Sequence, residues 1–428
     1  MERDLKPWKT ITDPKRTSPT VSVSTVFSKS LKSKKASALR LRNCYPQFSL
    51  TLLLVRDKYL EEAVVKLRCG REDLVGKVQT VMRAVSAKST LPTLTGLHLS
   101  VEEGKATLCG TDLEMSIRAE LPASVEESGK TVVPARFLSE IARSLPDGTV
   151  ALKASNGNVE LECAKSNFNL RSLPSEEFPL PKVAEWDGAL TFPTGDFCEA
   201  MRRVNRAASK DDSRPILTGV ALRVRGDRWE AAATDSYRLA VTEGKLSGSD
   251  SDVDAVIPAR GLDEVTRIAA SEGADGIQAV IGENEARFKM GNVELICRLL
   301  DGAYPAYQQL FPDEFSVEAQ CERESFLSAA KRASIVADGS PLQLELRGGL
   351  MQLCAKNQEV GEVSEEMEVT QSGEDLSISF NAQYLIEGLT AIPGPKVRLL
   401  LNSAVKPGLL KPVKDETFRY LIMPVRAS

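Results

Sequence analysis

An α+β protein made of three similar units, each with two helices on antiparallel sheet, is the fold this sequence predicts. Two observations carry that expectation. One is an internal repeat with a displacement near 123 residues. The other is a hydrophobic pattern inside each copy that switches between helical and strand periods.

The repeat shows in five anchors that keep their order. Leu91-Pro92-Thr93-Leu94-Thr95-Gly96 recurs as Arg214-Pro215-Ile216-Leu217-Thr218-Gly219, displaced by 123, and Thr111-Asp112 recurs as Thr234-Asp235 at the same displacement. Asp73-Leu74 recurs as Asp196-Phe197, Val133-Pro134-Ala135-Arg136 as Ile257-Pro258-Ala259-Arg260, and Phe178-Pro179 as Tyr304-Pro305. A third copy is fainter. Phe326, Ala329, Lys331 and Arg332 follow Phe197, Ala200, Arg202 and Arg203, and Asn381-Ala382-Gln383 stands where Pro258-Ala259-Arg260 would recur. The expected units are 65–187, 188–313 and 314–428, with acidic or proline-rich joints between them.

Each unit opens with a helix. Leu74, Val78, Val81, Met82 and Val85 mark the first, and Phe197, Met201, Val204 and Ala208 the second. Asp73 and Asp196 stand at the helix starts, where the dipole favours a negative charge. Alternating strands follow, such as Ala221–Arg225. A second helix begins just after Pro134 and again after Pro258, because proline suits a helix start. More strands close the unit.

Composition narrows the function classes. The chain has 428 residues, 42% of them hydrophobic, and a net charge of -4. No apolar run approaches the length needed to span a bilayer, so no membrane role is expected. The eight cysteines are scattered without close pairs, which argues against a zinc site or a dense disulfide framework and fits reduced thiols in the cytoplasm. His98 is the single histidine and lies in an alternating segment, so serine–histidine or cysteine–histidine catalysis has no natural base. Asp112 and Asp235 lie one per unit, whereas two-metal chemistry needs convergent carboxylates. A Thr-Asp pair at a strand end caps a turn more simply. No metal, no cofactor and no intrinsic catalysis are expected.

Charge is unevenly spread. Residues 1–45 hold eleven Lys/Arg against three Asp/Glu, while 65–428 carry a net -11. Residues 1–64 read as a disordered or misannotated extension: they are rich in Ser, Thr and Lys and lack an amphipathic period. Against the acidic remainder, bases recur at matching helix positions. On a wheel with Phe197 at zero, Arg202, Arg206, Lys210 and Arg203 fall at about 140°, 180°, 220° and 240°, opposite the core face. Arg83 lies opposite Leu74, and Lys88 sits just beyond that helix. Lys331 and Arg332 hold the places of Arg202 and Arg203. Arg136 and Arg143 are seven apart, as are Arg260 and Arg267. For a single residue this is an ordinary solvated face. Repeated in register, it is the footprint of a surface that binds a polyanion without reading sequence.

At this length and order, the repeats resemble the bacterial sliding clamp family, the beta subunit of DNA polymerase III. The resemblance runs from about Val65 to Arg426. It rests on Thr90-Leu91-Pro92-Thr93-Leu94, Gly110-Thr111-Asp112-Leu113-Glu114-Met115, Val133-Pro134-Ala135-Arg136, Ala233-Thr234-Asp235-Ser236-Tyr237-Arg238-Leu239-Ala240, Asp301-Gly302-Ala303-Tyr304-Pro305 and Tyr420-Leu421-Ile422-Met423-Pro424-Val425-Arg426.

The resemblance implies a clamp fold closed as a head-to-tail homodimer around duplex DNA, a non-catalytic processivity subunit of the polymerase. It implies that Lys88, Arg136, Arg202, Arg206, Arg260 and Lys331 face DNA. It also implies a groove between the second and third units, where the polymerase catalytic subunit, a clamp loader and other proteins insert a short motif. Matching groove positions are Leu217, Thr234, Ser236, Tyr237, Arg238 and Leu239, with Asn381, Tyr384, Val405, Pro407, Leu421, Met423 and Pro424. Ile335 in place of Arg206, and Gln383 in place of Arg260, make the third unit less cationic. The competing reading is a scaffold that keeps the fold and the peptide groove without encircling DNA.

Overall fold

The computed structural model describes residues 65–86, 89–182, 185–246 and 252–426. The expectation for residues 1–64 and the assignment of Lys88 fall outside the described residues. Among the described residues, six α-helices lie in three pairs: α1 (Arg71–Val81) with α2 (Ala135–Ser144), α3 (Thr194–Val204) with α4 (Ala259–Glu272), and α5 (Arg323–Ala337) with α6 (Ala382–Ala391). None of the described helices is long and apolar enough to cross a membrane.

The local causes are readable. In α1, Leu74, Val78 and Val81 recur on one face and are buried, with Glu72 and Asp73 in the first turn. α3 buries Phe197, Met201 and Val204 and ends with Arg202 and Arg203 beside its carbonyl end. Both helices finish in a short 3-10 turn, Met82–Ala84 and Asn205–Ala207, so the helical face runs on to Arg83 and Arg206. Pro134 and Pro258 stand immediately before α2 and α4. In α6 that place belongs to Asn381, whose side chain accepts the Tyr384 N–H at 3.1 Å.

The sheets ignore the repeat boundaries. An eight-stranded sheet crosses from the first repeat to the second where Met115–Leu121 pairs antiparallel with Val293–Arg298, placing Ile117 opposite Leu295. A nine-stranded sheet crosses from the second repeat to the third where Arg238–Lys245 pairs with Phe418–Ile422, placing Leu239 opposite Leu421. A five-stranded sheet in the first repeat leaves Ser166–Arg171 at one edge, and a four-stranded sheet in the third leaves Gly361–Glu368 at an edge. The helices pack on these sheets over one continuous apolar core. The sequence-level glycines Gly96 and Gly219 serve close approach: a Cβ there would meet the side chains of Val132 and Leu173, or of Leu300 and Val256, within about 3 Å.

Ion pairs tie the first two helix pairs together. Lys77 in α1 meets Glu272 in α4 at 2.7 Å, with side chains only 16% and 14% exposed. Glu264, buried in α4, receives both Arg83 and Arg267 at 3.0 Å. Arg260 reaches back to Asp112 at 2.7 Å and to the Arg83 carbonyl at 3.1 Å. Removing one partner of so sheltered a pair strands a charge in a poorly solvated place. Lys77→Ala, Glu272→Ala and the double variant should therefore show a coupling of about 1–3 kcal/mol in a denaturation cycle, and additive effects would refute the link.

The single histidine is a core residue. His98 lies buried in the strand Gly96–Glu102, with its ring 5.2 Å from that of Phe178. Burial, with Lys130 nearby, lowers its pKa from 6.5 to about 4, so the imidazole is neutral near pH 7. The unfolded chain takes up the proton first as pH falls. Stability carried by the neutral ring is thus complete above pH 6.5 and lost on the way down through about 4, by roughly 3 kcal/mol. His98→Leu should flatten the melting temperature between pH 7 and 4 relative to the parent; parallel curves would contradict this.

Candidate nucleic-acid interface and peptide groove

The basic helix positions fall into two groups. Six already meet a carboxylate: Arg83 and Arg267 at Glu264, Arg260 at Asp112, Arg136 at Glu140, Arg203 at Glu199, and Arg332 at Glu365. Arg143 hydrogen-bonds the Ser139 carbonyl at 3.2 Å. Arg202, Arg206, Lys210 and Lys331 are exposed, and among the described residues none of them has an acid within 4.0 Å. Sequence spacing reaches only the local pairs of Arg136, Arg203 and Arg267, because the acids that meet Arg83, Arg260 and Arg332 lie far away in sequence. Ile335 is one of the exposed apolar side chains, on the helix that carries Lys331.

The two Thr-Asp pairs are turn devices. Asp112 Oδ1 accepts from the Glu114 and Met115 amides at 3.1 and 2.7 Å, and Asp235 Oδ1 from the Tyr237 and Arg238 amides at 2.9 and 3.0 Å. Thr111 and Thr234 donate to the Met115 and Arg238 carbonyls and accept from the Leu113 and Ser236 amides. These bonds hold Leu113 at φ 77° and Ser236 at φ 79°, a left-handed conformation that non-glycine residues seldom adopt. The outcome at both corners is a large side chain held out from the sheet, Leu113 in one and Tyr237 in the other.

At the second corner this side chain faces the third repeat. Tyr237 is 58% exposed and stacks with Tyr384 of α6, ring centroids 6.4 Å apart. The Met423 amide donates to the Tyr237 carbonyl at 2.8 Å, which draws the carboxyl-terminal residues alongside. Gly408 pairs with Ile422, so Pro407 and Met423 come next to each other at the end of that ladder. Ser236, Tyr237, Val405 and Met423 are exposed, while Asn381, Tyr384, Pro407 and Pro424 are half-buried.

Five of the expected groove residues are buried instead. Leu217, Thr234 and Arg238 lie beneath the corner, and Leu239 and Leu421 belong to a cluster with Tyr307. Arg238, one of the expected groove positions, turns inward. At 5% exposure its guanidinium is taken up by Asp235 at 3.0 Å, by Glu387, and by the face of the Tyr384 ring at 4.5 Å. Burial works against its charge, but Tyr420 and Glu387 outweigh that and push its pKa up. The hydrogen bonds from Gln383 and Arg238 hold the half-buried Glu387 carboxyl low. Arg238 therefore braces the second repeat against α6. Glu387 and Tyr420, which hold it, escaped the sequence reading, although Tyr420 opens the quoted terminal motif. Arg214, which reaches Ser236 at 3.0 Å, also escaped it.

Among the described residues, no cluster of three or more His, Cys, Asp or Glu could hold a metal. The seven described cysteines are free, and burial pushes the thiols of Cys69, Cys297 and Cys321 up to about 12.

Comparison with known proteins agrees with this layout. Three family models match in order: the N-terminal domain of the DNA polymerase III beta subunit at 65–182, its central domain at 191–306 and its C-terminal domain at 308–426. The chain is 36% identical over 378 residues to a beta sliding clamp of Streptomyces coelicolor, covering 85% of this chain and all of the relative. It is 34% identical to one of Synechocystis, covering 85% and 99%. The crystal structure of the DNA polymerase sliding clamp from Bacillus subtilis superposes with a TM-score of 0.81 at 32% identity, covering 85% of this chain and all of that one. A Pseudomonas aeruginosa clamp bound to griselimycin gives 0.80 at 28%, covering 85% and 99%. A continuous pair of cross-repeat sheets, three helix pairs and identity above 30% over 85% of the chain place it in the DNA polymerase III beta subunit family, the beta sliding clamps.

Proposed function

We propose that two copies of this chain close head to tail around duplex DNA and tether the replicative polymerase, with Arg202, Arg206, Lys210 and Lys331 facing the phosphates. The observation that carries this reading is the set of four bases that, among the described residues, have no acid within 4.0 Å, in a region whose net charge is -11. Contacts of this kind with phosphates are independent of sequence and individually weak, so they permit sliding. Retention comes from topology: a closed ring cannot leave sideways. The chain acts as a non-catalytic processivity factor, and the polymerase does the chemistry.

Closure follows from the repeat. The first repeat joins the second through Met115–Leu121 and Val293–Arg298. The third repeat has a counterpart of the former in its edge strand Gly361–Glu368, and the first has a counterpart of the latter in Ser166–Arg171. Among the described residues, both edges are unpaired within one chain. Pairing them between two copies makes a heterologous interface that closes instead of propagating.

The groove reading rests on Tyr237, Tyr384, Pro407, Met423 and Pro424, an apolar and aromatic trough of the kind that takes a short linear motif. The polymerase catalytic subunit and a clamp loader are the partners we assign to it. Leu421 and Ile422 lie inside the ladder between the second and third repeats, so a truncation meant to test the groove must begin after Ile422.

Arg202→Glu with Arg206→Glu should slow loading onto nicked circular DNA about tenfold or more, with no change in melting temperature. The parent should stay on circular DNA and run off linear DNA in gel filtration; equal retention on both would favour a scaffold that does not encircle. Tyr237→Ala and Met423→Ala should each weaken a polymerase-derived motif peptide by about 1.4–2.8 kcal/mol in calorimetry, roughly 10- to 100-fold in Kd. Unchanged affinity would remove the groove from this corner.

A further inference from the structure

One face of the sheet carries an equivalent triplet in each repeat. His98 lies opposite Cys109 and Val132, Ala221 opposite Ala232 and Val256, and Gln343 opposite Cys354 and Ser379. In the first two repeats an aromatic residue followed by proline covers this place. Phe178 packs on Cys109 and Val132. Tyr304 and Tyr307 pack on Ala232, and the Tyr307 hydroxyl donates to Glu230. In the third repeat the place is a cavity of about 490 Å³, open among the described residues. It is lined by Gln343, Cys354 and Ser379, together with Gln352 and Lys356, the counterparts of Glu230 and Thr234.

We propose that this cavity receives a Tyr-Pro segment of a partner protein, with a lysine or arginine beside it, seated as Tyr304-Pro305-Ala306-Tyr307 sits on the second repeat. The two filled places give the backbone class of the occupant, because both hold an aromatic residue followed by proline. The side chains of the third place select tyrosine over phenylalanine. Gln352 donates its amide N–H to Ser364 at 2.7 Å, and Gln343 donates to Glu345 at 3.0 Å and to Ser377 at 2.8 Å. Their amide oxygens are left as acceptors, and that of Gln352 stands where the Glu230 carboxylate takes the Tyr307 hydroxyl. A phenol donates to such an oxygen, and a phenyl ring would cover it unpaired. Charge selects the base. Glu362 and Glu345 already meet Lys356 and Arg347, at 2.6 and 3.1 Å. Glu366 lies opposite Gln352, and Glu368 follows it on the same face. Both are exposed, and among the described residues neither has a base within 4.0 Å. A cavity of this size suits a short linear segment. It shares no lining residue with the groove at Tyr237 and needs no ring closure, so it stands apart from the reading above.

Cys354 reports on occupancy, because it is only partly buried in the cavity while the other six described cysteines are buried. The probe is a synthetic peptide copying Gly302–Gln309 with a lysine added at each end, titrated into the full chain carrying Cys44→Ser. Maleimide labelling of Cys354 should fall to a plateau as the peptide is added. Replacing both peptide tyrosines by phenylalanine should move the midpoint about tenfold to higher concentration. Gln352→Leu and Glu366→Lys in the chain should each move it the same way. Glu366 is exposed, so its variant tests the site even where Gln352→Leu disturbs the sheet. Labelling that never falls, a phenylalanine peptide that protects equally well, or a Glu366→Lys midpoint that stays in place would each overturn the inference. Protection that disappears with Tyr237→Ala would assign the peptide to the groove and overturn it too.

Discussion

Two antiparallel ladders that run across the repeat boundaries set the geometry on which the rest of the molecule depends. Met115–Leu121 against Val293–Arg298, and Arg238–Lys245 against Phe418–Ile422, turn three units into two continuous sheets. Backbone ladders are directional and fixed in register, since a one-residue slip would turn every buried side chain outward. Helices that pack on such a sheet inherit its spacing. The ion pairs of Lys77, Arg83 and Arg260 then pin the first helix pairs at their ends. A rigid row of helices is what a polyanion surface needs, because weak phosphate contacts act together only when their spacing is held.

The charges are sorted by environment more than by number. Bases at repeat-equivalent positions divide into those paired with an acid, on their own helix or on a neighbouring element, and those left to solvent. Glu264 and Asp112 contribute most to the division: each lies little exposed and takes one arginine from another element, Arg83 and Arg260. The surface that remains is smaller than the count of lysines and arginines suggests, and it centres on α3 and its 3-10 extension with Lys331 of α5.

The corner at Thr234–Arg238 shows one motif working at two depths. The Asp235 turn throws Tyr237 outward and, in the next residue, sends Arg238 inward to Glu387 and Tyr420. The exposed ring is available to a partner. The buried guanidinium keeps α6, and so Tyr384, at a fixed distance from the corner. Repetition of the same turn in the first repeat, with Leu113 outward, shows that the device belongs to the repeat while its use depends on the neighbouring unit.

The sequence by itself determined the triplication, the two helices of each copy, the His98 strand, the Thr-Asp turns and the family, because these depend on local periodicity, turn chemistry and short motifs; the strand that opens each copy ahead of its first helix, Val65–Gly70, Leu190–Pro193 and Val317–Glu322, corrects the expectation that a helix comes first. The division of the bases and the burial of Arg238, Leu239 and Leu421 were decided only by the tertiary structure. Whether Arg260 meets solvent or Asp112 depends on residues 148 positions apart, brought together by cross-repeat pairing. Leu239 and Leu421 carry the same alternation as any exposed strand face. They lie buried because the linker with Tyr304 and Tyr307 crosses above them, and no local pattern records which face a distant segment will cover.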